Sequence, residues 1–341
     1  MQSDRLRPGD RVMLRAPADI LASLDGSGAL GGVPFMPEML QYYGRIFTVA
    51  RRVEKICDTV CPVASRRMVD TVFLEDLRCD GSGHGGCQAA CRLYWKDDWL
   101  ARMAPNVIPP RRPDDAALAA LARVAAANAR QPENPAHYRC QATEARRAST
   151  QLPGWDLRQY VREAQSGNVA WPRMLSMLAL RILPWELRRL LRRPAAQLPR
   201  MRRQRGAPQP PPLNLQPGEW VEVRSPAEIA RTLDANNSHR GLYFSAPEMA
   251  TECGKRYRVR RRVNRIIEES SGRMLTMKND CIELEGPVCT GDRSIGRWFC
   301  TREIYPYWRE AWLKRVTAPA AMAADPPPAV ARTVEHAVTS S

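Results

Sequence analysis

The segment LRPGDRVMLRAPADILASLD (6–25) returns as LQPGEWVEVRSPAEIARTLD (215–234) in the second half of the chain. Three further pairs keep the same order: YGRIFTVARRVEKI (43–56) with CGKRYRVRRRVNRI (253–266), DTVFLEDLRCDG (70–81) with DCIELEGPVCTG (280–291), and YWKDDWL (94–100) with YWREAWL (307–313). The matches keep the same order from residue 6 to 100 and from residue 215 to 313, which predicts a duplicated domain.

Each copy has the pattern of a small, mostly antiparallel barrel. A Pro-Gly turn followed by alternating apolar residues, as at Val12 and Leu14, predicts a half-buried strand. A short helix follows, since proline stands at its first turn with an acidic residue soon after. The segments around 47–53 and 72–74 are further strand candidates, and the aromatic end at 94–99 suits a last strand or turn. We therefore predict an α+β chain with a half-open barrel in each copy.

The openings PGDRVML and PGEWVEV resemble the first strand of SH3-like and KOW-type domains of translation and transcription proteins. The resemblance covers only that first strand in each copy. It implies a small β-barrel that binds RNA or protein partners through its loops.

The remaining sequence divides around the two copies. At 341 residues there is room for two or three domains. We predict a first SH3-like barrel with a Cys/His loop at 1–105, a helical insertion at 106–194, a disordered Pro/Arg-rich linker at 195–214, a second barrel at 215–316 and a disordered tail at 317–341.

The charge balance predicts an acidic partner. The chain has 52 Lys and Arg against 36 Asp and Glu, a net charge of +16, which is typical of proteins that meet nucleic acid, acidic protein or anionic membrane. A compositional bias toward arginine explains the same numbers, so both interpretations stay open. Arg51, Arg52, Arg261 and Arg262 fall at equivalent strand positions and form a candidate binding face.

The sequence CDGSGHGGCQAAC (79–91) is the strongest site candidate. Cys79, Cys87 and Cys91 have the spacing C-x7-C-x3-C, with His84 inside a glycine-rich loop that is able to wrap an ion. A tetrahedral site needs a fourth ligand, which would be His84 itself or would come from AHYRCQATE (136–144). That segment contains His137 and Cys140, of which we favour Cys140.

Comparison with the second copy shows which candidate ligands occur in both copies and which occur only in the first. Cys79 and Cys87 match Cys289 and Cys300, whereas His84 and Cys91 have no counterpart, since Ile304 stands opposite Cys91. The metal hypothesis therefore depends on the unshared residues. Zinc is favoured and an iron–sulfur cluster is the alternative. Buried free thiols and a redox dithiol stay open, as does a further thiol pair at Cys57 and Cys61.

The sequence has no phosphate loop, no serine nucleophile elbow, no metalloprotease motif and no dinucleotide G-x-G-x-x-G after a strand. The Glu of the repeated Pro-Glu-Met motif, Glu38 and Glu248, is expected to cap or bridge within the fold. We expect a non-catalytic, metal-stabilised binding or accessory protein. The alternatives are a metal- or iron–sulfur-dependent enzyme centred on Cys79, Cys87, Cys91 and Cys140, and a membrane-surface protein anchored by a basic amphipathic helix near 171–193.

The expected location is the cytoplasm. The first residues do not have the pattern of a secretory signal, and the most apolar run is too short and too interrupted to span a bilayer. Ten cysteines in a reducing compartment are thiols or metal ligands more often than disulfides. Substrate, pathway and oligomeric state cannot be predicted from this sequence.

Overall fold

Two five-stranded antiparallel sheets, one from each copy of the repeat, form the framework of the protein. The computed structural model describes residues 5–61, 64–104, 115–182, 211–291 and 297–318, with backbone alone at 180–182. We call residues 5–104 the first module, 115–182 the middle region and 211–318 the second module. The structure confirms the predicted mixture of helices and antiparallel strands with a half-barrel sheet.

The first module has nine strands and one α-helix. In chain order they are β1 (Arg11–Leu14), α1 (Pro17–Ser23), β2 (Ala29–Leu30), β3 (Val33–Pro34), β4 (Ile46–Arg52), β5 (Ile56–Cys57), β6 (Ser65–Arg67), β7 (Thr71–Leu74), β8 (Trp95–Lys96) and β9 (Leu100–Arg102), with 3₁₀ helices at Pro37–Tyr42 and Asp97–Trp99. The main sheet has the order β8-β7-β4-β1-β9.

The middle region was predicted to be helical, and it also contains three short strands. Its elements are α2 (Asp115–Ala127), β10 (Arg130–Gln131), β11 (Asn134–Tyr138), α3 (Gln141–Glu144), β12 (Thr150–Leu152), α4 (Arg158–Gln165) and α5 (Trp171–Ile182). Strand β12 pairs with β6 and so extends a small sheet of the first module. The middle region is therefore attached to the first module by backbone hydrogen bonds.

The second module has a series of elements similar to that of the first. Its elements are β13 (Trp220–Val223), α6 (Pro226–Thr232), β14 (Ser238–His239), β15 (Leu242–Tyr243), α7 (Ala246–Met249), β16 (Arg256–Arg262), β17 (Arg265–Ile267), β18 (Met274–Thr276), β19 (Ile282–Leu284), β20 (Tyr307–Trp308) and β21 (Leu313–Arg315), with 3₁₀ helices at Ala250–Glu252 and Glu310–Trp312. The main sheet has the order β20-β19-β16-β13-β21, which corresponds strand for strand to the first.

Matching details extend to side chains. Trp99 and Trp312 are fully buried, and each packs edge-on against a phenylalanine, Phe35 or Phe244, at a ring distance of 5.2 Å in both modules. Each indole N–H donates to a hydroxyl at the end of the helix after the first strand, at 3.2 Å in the first module and 3.0 Å in the second. A buried indole N–H group needs such an acceptor. The Trp at the same position in both modules therefore explains why the helix after the first strand ends at the same place in each.

The two modules meet in a pseudo-twofold arrangement. The backbone N–H of Gln88 donates to the carbonyl of Arg265 (3.0 Å), and the equivalent N–H of Thr301 donates to the carbonyl of Lys55 (3.1 Å). In each module, the residue after a cysteine (Gln88 after Cys87, Thr301 after Cys300) donates a backbone hydrogen bond to the other module. The contact therefore resembles the self-complementary interface of a symmetric dimer.

Several predicted regions lie outside the described residues. These are most of the predicted linker (195–210), most of the tail (319–341) and the last part of the predicted basic helix (183–193). Among the helices that the structure describes, none combines the length and the apolar character needed to cross a bilayer.

Candidate functional site

Four of the predicted cysteine ligands line one small cavity between the modules. Its volume is about 40 Å³. The wall consists of Met36, Cys79, His84, Cys87, Ala89, Ala90, Cys91, Arg92, Leu93, Cys140, Gln141, Ala142, Ile267 and Glu269. Cys79, Cys87 and Cys91 come from the glycine-rich loop, Cys140 from the start of α3, and the last two residues from the second module. The set named from sequence is thus brought together in space.

Cys79 and Cys91 are held side by side by backbone pairing. The N–H of Cys79 donates to the carbonyl of Cys91 at 2.8 Å, next to an isolated antiparallel bridge between Arg78 and Arg92. The same bond joins Cys289 to Ile304 in the second module. The backbone position is therefore shared by both copies, and only the first copy has cysteine at both ends.

Gly81 lets the loop return on itself between Cys79 and Cys87. It has φ +75°, and a Cβ at this residue would lie 2.1 Å from the carbonyl oxygen of Cys87. The turn is closed by bonds from Gly86 N–H to the carbonyl of Gly81 (2.9 Å) and from Cys87 N–H to the carbonyl of His84 (3.2 Å). Only glycine fits this position without displacing backbone.

Backbone N–H groups lie close to three of the four sulfurs. Ile267 in β17 donates to Cys87 Sγ at 3.3 Å, and the N–H of Gly81 is directed at Cys79. Cys140 is the N-cap residue of α3: its own N–H donates to Thr143 Oγ1 at 2.9 Å, and the N–H groups of Ala142 and Thr143 lie near its sulfur. Donors aimed at sulfur favour the thiolate form.

His84 is buried, and both of its ring nitrogens face protein acceptors. Nδ1 lies 2.6 Å from Glu38 Oε1, and Nε2 lies 3.0 Å from the carbonyl oxygen of Arg139. Because a carbonyl only accepts, Nε2 carries a proton and donates. His84 therefore joins the loop to the 3₁₀ helix and to the middle region, and in this conformation it offers no lone pair to the cavity.

The other predicted histidine and the repeated Glu have different surroundings. His137 lies half-buried on β11 and is not among the residues that line the cavity. Glu38 accepts from the N–H of Gly83 at 3.1 Å as well as contacting His84, so it bridges within the fold as the motif predicted. The presence of this Glu at the same position in both copies was the sequence signal that could have placed Glu38 beside the glycine-rich loop.

Burial keeps the metal-free thiols protonated. It raises the pKa of Cys91 and of Cys140 to about 12, and it raises the pKa of Cys79 still further, with Glu38 adding to the effect there. A thiolate-binding metal must displace these protons, so binding releases protons to solution. Among the described residues, no group of three or more His, Cys, Asp or Glu side chains is arranged so that it could hold a metal ion.

Each arginine of the predicted binding face forms an ion pair inside the protein. Arg52 is buried and contacts Asp97 at 2.9 Å, and Arg51 lies 3.7 Å from Glu303. In the second module, Arg262 contacts Glu310 at 2.6 Å and Arg261 lies 3.5 Å from Glu283. Contact with a phosphate would have to compete with these ion pairs.

Sequence reasoning missed the contribution of the second module. Ile267 and Glu269 line the cavity although neither belongs to the copy that carries the cysteine loop. The pseudo-twofold contact explains their position, since Cys57 N–H donates to Cys300 Sγ at 3.2 Å where Ile267 N–H donates to Cys87. No protein-family model, curated protein or solved structure matches this chain.

Proposed function

We propose that this chain is an iron–sulfur protein, built from two tandem SH3-like modules, in which Cys79, Cys87, Cys91 and Cys140 hold the cluster. One observation carries the proposal: all four thiols line the same small cavity. Four cysteine thiolates are the common ligand set of iron–sulfur clusters. The matching strand orders and matching Trp packing support the tandem duplication.

The size of the cysteine cavity favours a cluster over a single zinc ion. The cavity, which the four cysteines line together with ten other residues, has a volume of about 40 Å³, against roughly 10–15 Å³ for one water molecule. We take this room for several atoms as support for an iron–sulfur cluster, since a single zinc ion needs only one atom's space between its four ligands.

The surroundings suit a buried cluster. Burial and hydrogen bonds to the sulfurs set the reduction potential of such centres, and N–H groups reach Cys79, Cys87 and Cys140. When bound, the cluster would supply one-electron chemistry or rigid cross-linking. This chain's residues hold the thiols in place and exclude water.

The role that the geometry supports best is that of an accessory protein whose metal centre joins the modules. The first module supplies three thiols and the middle region supplies Cys140. The second module donates an N–H to Cys87 and places Glu269 in the wall. Because metal binding is coupled to folding, loss of the centre is expected to loosen all three parts.

The test is iron and acid-labile sulfide analysis of protein purified without oxygen. We expect both elements in the wild type and their loss in Cys91→Ser and Cys140→Ser. Cys61→Ser is the matched control, because Cys61 is a half-buried thiol of the first module outside the cavity wall. Zinc without iron would refute the cluster and support the zinc site predicted from sequence. Folded protein with neither metal would refute both.

An exposed apolar patch favours a second role at an anionic membrane surface. Trp155, Leu157, Val161, Trp171 and Leu175 are all exposed, and they lie on α4, α5 and the approach to α4. Such patches mark contact surfaces, and Trp is common at membrane interfaces. We expect Trp155→Ala with Trp171→Ala to reduce sedimentation with anionic liposomes, while Tyr243→Ala, an exposed aromatic elsewhere, leaves it unchanged. Equal sedimentation of all three proteins would refute this role.

A further inference from the structure

A second, larger cavity lies between the modules and shares a wall with the cysteine cavity. Its volume is about 480 Å³, within the range of roughly 300–1,000 Å³ typical of small-molecule sites, which often lie at domain interfaces. Ala89, Cys91, Arg92, Ile267 and Glu269 line both cavities. A molecule bound here would therefore lie beside Cys91.

Two tyrosines at equivalent positions of the repeat line this cavity. Tyr94 follows Cys91 by three residues, and Tyr307 follows Ile304 by three; each immediately precedes a fully buried tryptophan of its module. Within the described residues no hydrogen bond reaches either hydroxyl. Burial raises the pKa of both phenols, so both remain protonated donors at neutral pH.

The charged residues of the wall are already neutralised in pairs. Arg302 is buried and forms two bonds with Glu269, at 2.6 and 3.1 Å, and Thr59 donates to the same carboxylate. Arg92 contacts Glu303 at 2.6 Å and the carbonyl of Leu74 at 3.0 Å. A charged ligand would have to break one of these buried pairs, which is costly. The cavity is therefore suited to a neutral ligand.

The rest of the wall is largely apolar. It includes Val60, Phe73, Ile266, Leu275 and Ile304. A ligand with an apolar ring would be buried among these side chains and gain the free energy of removing its surface from water. The hydroxyls of Tyr94 and Tyr307 are available to donate hydrogen bonds to acceptor atoms on such a ring.

We propose that this cavity binds a neutral ring compound with carbonyl acceptors, of the quinone class, through the hydroxyls of Tyr94 and Tyr307. The inference goes beyond the proposed cluster and does not require it, since shape, charge pairing and the two donors are properties of the polypeptide. If the cluster is present, the shared Cys91 wall places such a ring next to it.

The experiment compares two probes of the same shape by equilibrium dialysis against the full chain. Duroquinone has two carbonyls and no unsubstituted ring position that invites thiol addition, and durene is the same tetramethyl ring without oxygen. We expect duroquinone to bind with one site per chain. We expect Tyr94→Phe with Tyr307→Phe to weaken it about tenfold, since each net hydrogen bond is worth about two- to tenfold in affinity.

Two controls separate recognition from general effects. Tyr243→Phe alters an exposed tyrosine outside this cavity and should leave duroquinone binding unchanged. Ser270→Trp places a large side chain at an exposed position of the wall and should abolish binding of both probes. Durene should bind more weakly than duroquinone and equally to wild type and the Tyr→Phe protein.

Three outcomes would overturn the proposal: no binding of duroquinone to the wild type, equal binding of duroquinone and durene, or duroquinone binding that the double Tyr→Phe change leaves unaltered. Circular dichroism of each variant establishes that it is folded. Dialysis reports ligand binding and not iron, so failure here is distinguishable from failure of the metal analysis.

Discussion

The buried carboxyl of Glu163 makes the stability of this protein depend on pH in a predictable way. Glu163 lies on α4 with no exposed surface, and Asn168 donates to its Oε2 at 2.8 Å. Asn168 also exchanges two 2.8 Å bonds with the backbone of Arg52 in β4. The carboxyl therefore lies beneath a contact that fastens the middle region to the first module.

Burial raises the pKa of Glu163 from its ordinary value of 4.5 to about 8. The folded state therefore binds this proton more tightly than the unfolded state does. The resulting stabilisation is fully present below pH 4.5 and is lost as pH rises toward 8. Each pKa unit is worth about 1.4 kcal/mol, so the loss is on the order of 5 kcal/mol across that window.

Glu163→Gln removes the titration and keeps the shape. We expect urea denaturation at pH 5, 6, 7 and 8 to show that the difference in unfolding free energy, variant minus wild type, increases by a few kcal/mol over this range. Glu75→Gln, at an exposed position, should give a difference that stays near zero. A Glu163→Gln difference that is independent of pH would refute the reasoning.

Two further changes probe the cysteine cavity. Gly81→Ala places a Cβ 2.1 Å from the carbonyl oxygen of Cys87, so the iron content per chain should fall severalfold. Gly26→Ala, which has open space around it, should retain its full iron content. Equal iron content in both variants would contradict the loop geometry. Gln141→Ala removes a buried amide that accepts from the N–H of Tyr94 at 2.7 Å and donates to the carbonyl of Tyr94 at 2.8 Å. The unfolding free energy measured by urea denaturation should therefore fall by about 3 kcal/mol. A change below about 0.5 kcal/mol would contradict this role of Gln141.

The parts of the fold that could be predicted from the sequence depend on local patterns. A Pro-Gly turn and alternating apolar residues specify β1 and β13 wherever they occur, and proline at the first turn specifies α1 and α6. Strand β12 could not be predicted, because it forms only through pairing with β6, which is distant in sequence. Strands of two or three residues have too few positions to show an alternating pattern.

The candidate site could be predicted from the sequence where the first copy of the repeat differs from the second. Cys91 stood out because the second copy has Ile304 there, and Cys140 because its segment has no counterpart. The surroundings of His84 could not be predicted, since imidazole is as suited to hydrogen bonding as to metal binding. The part played by Ile267 depends on how the modules dock, which no local pattern encodes.

The most direct test of the central claim is X-ray absorption at the iron and zinc edges, on full-length protein purified without oxygen. The proposal predicts iron with a sulfur-only first coordination shell and a second iron nearby, and loss of that signal in Cys140→Ser. A zinc edge with four sulfurs at about 2.3 Å and no iron would contradict it.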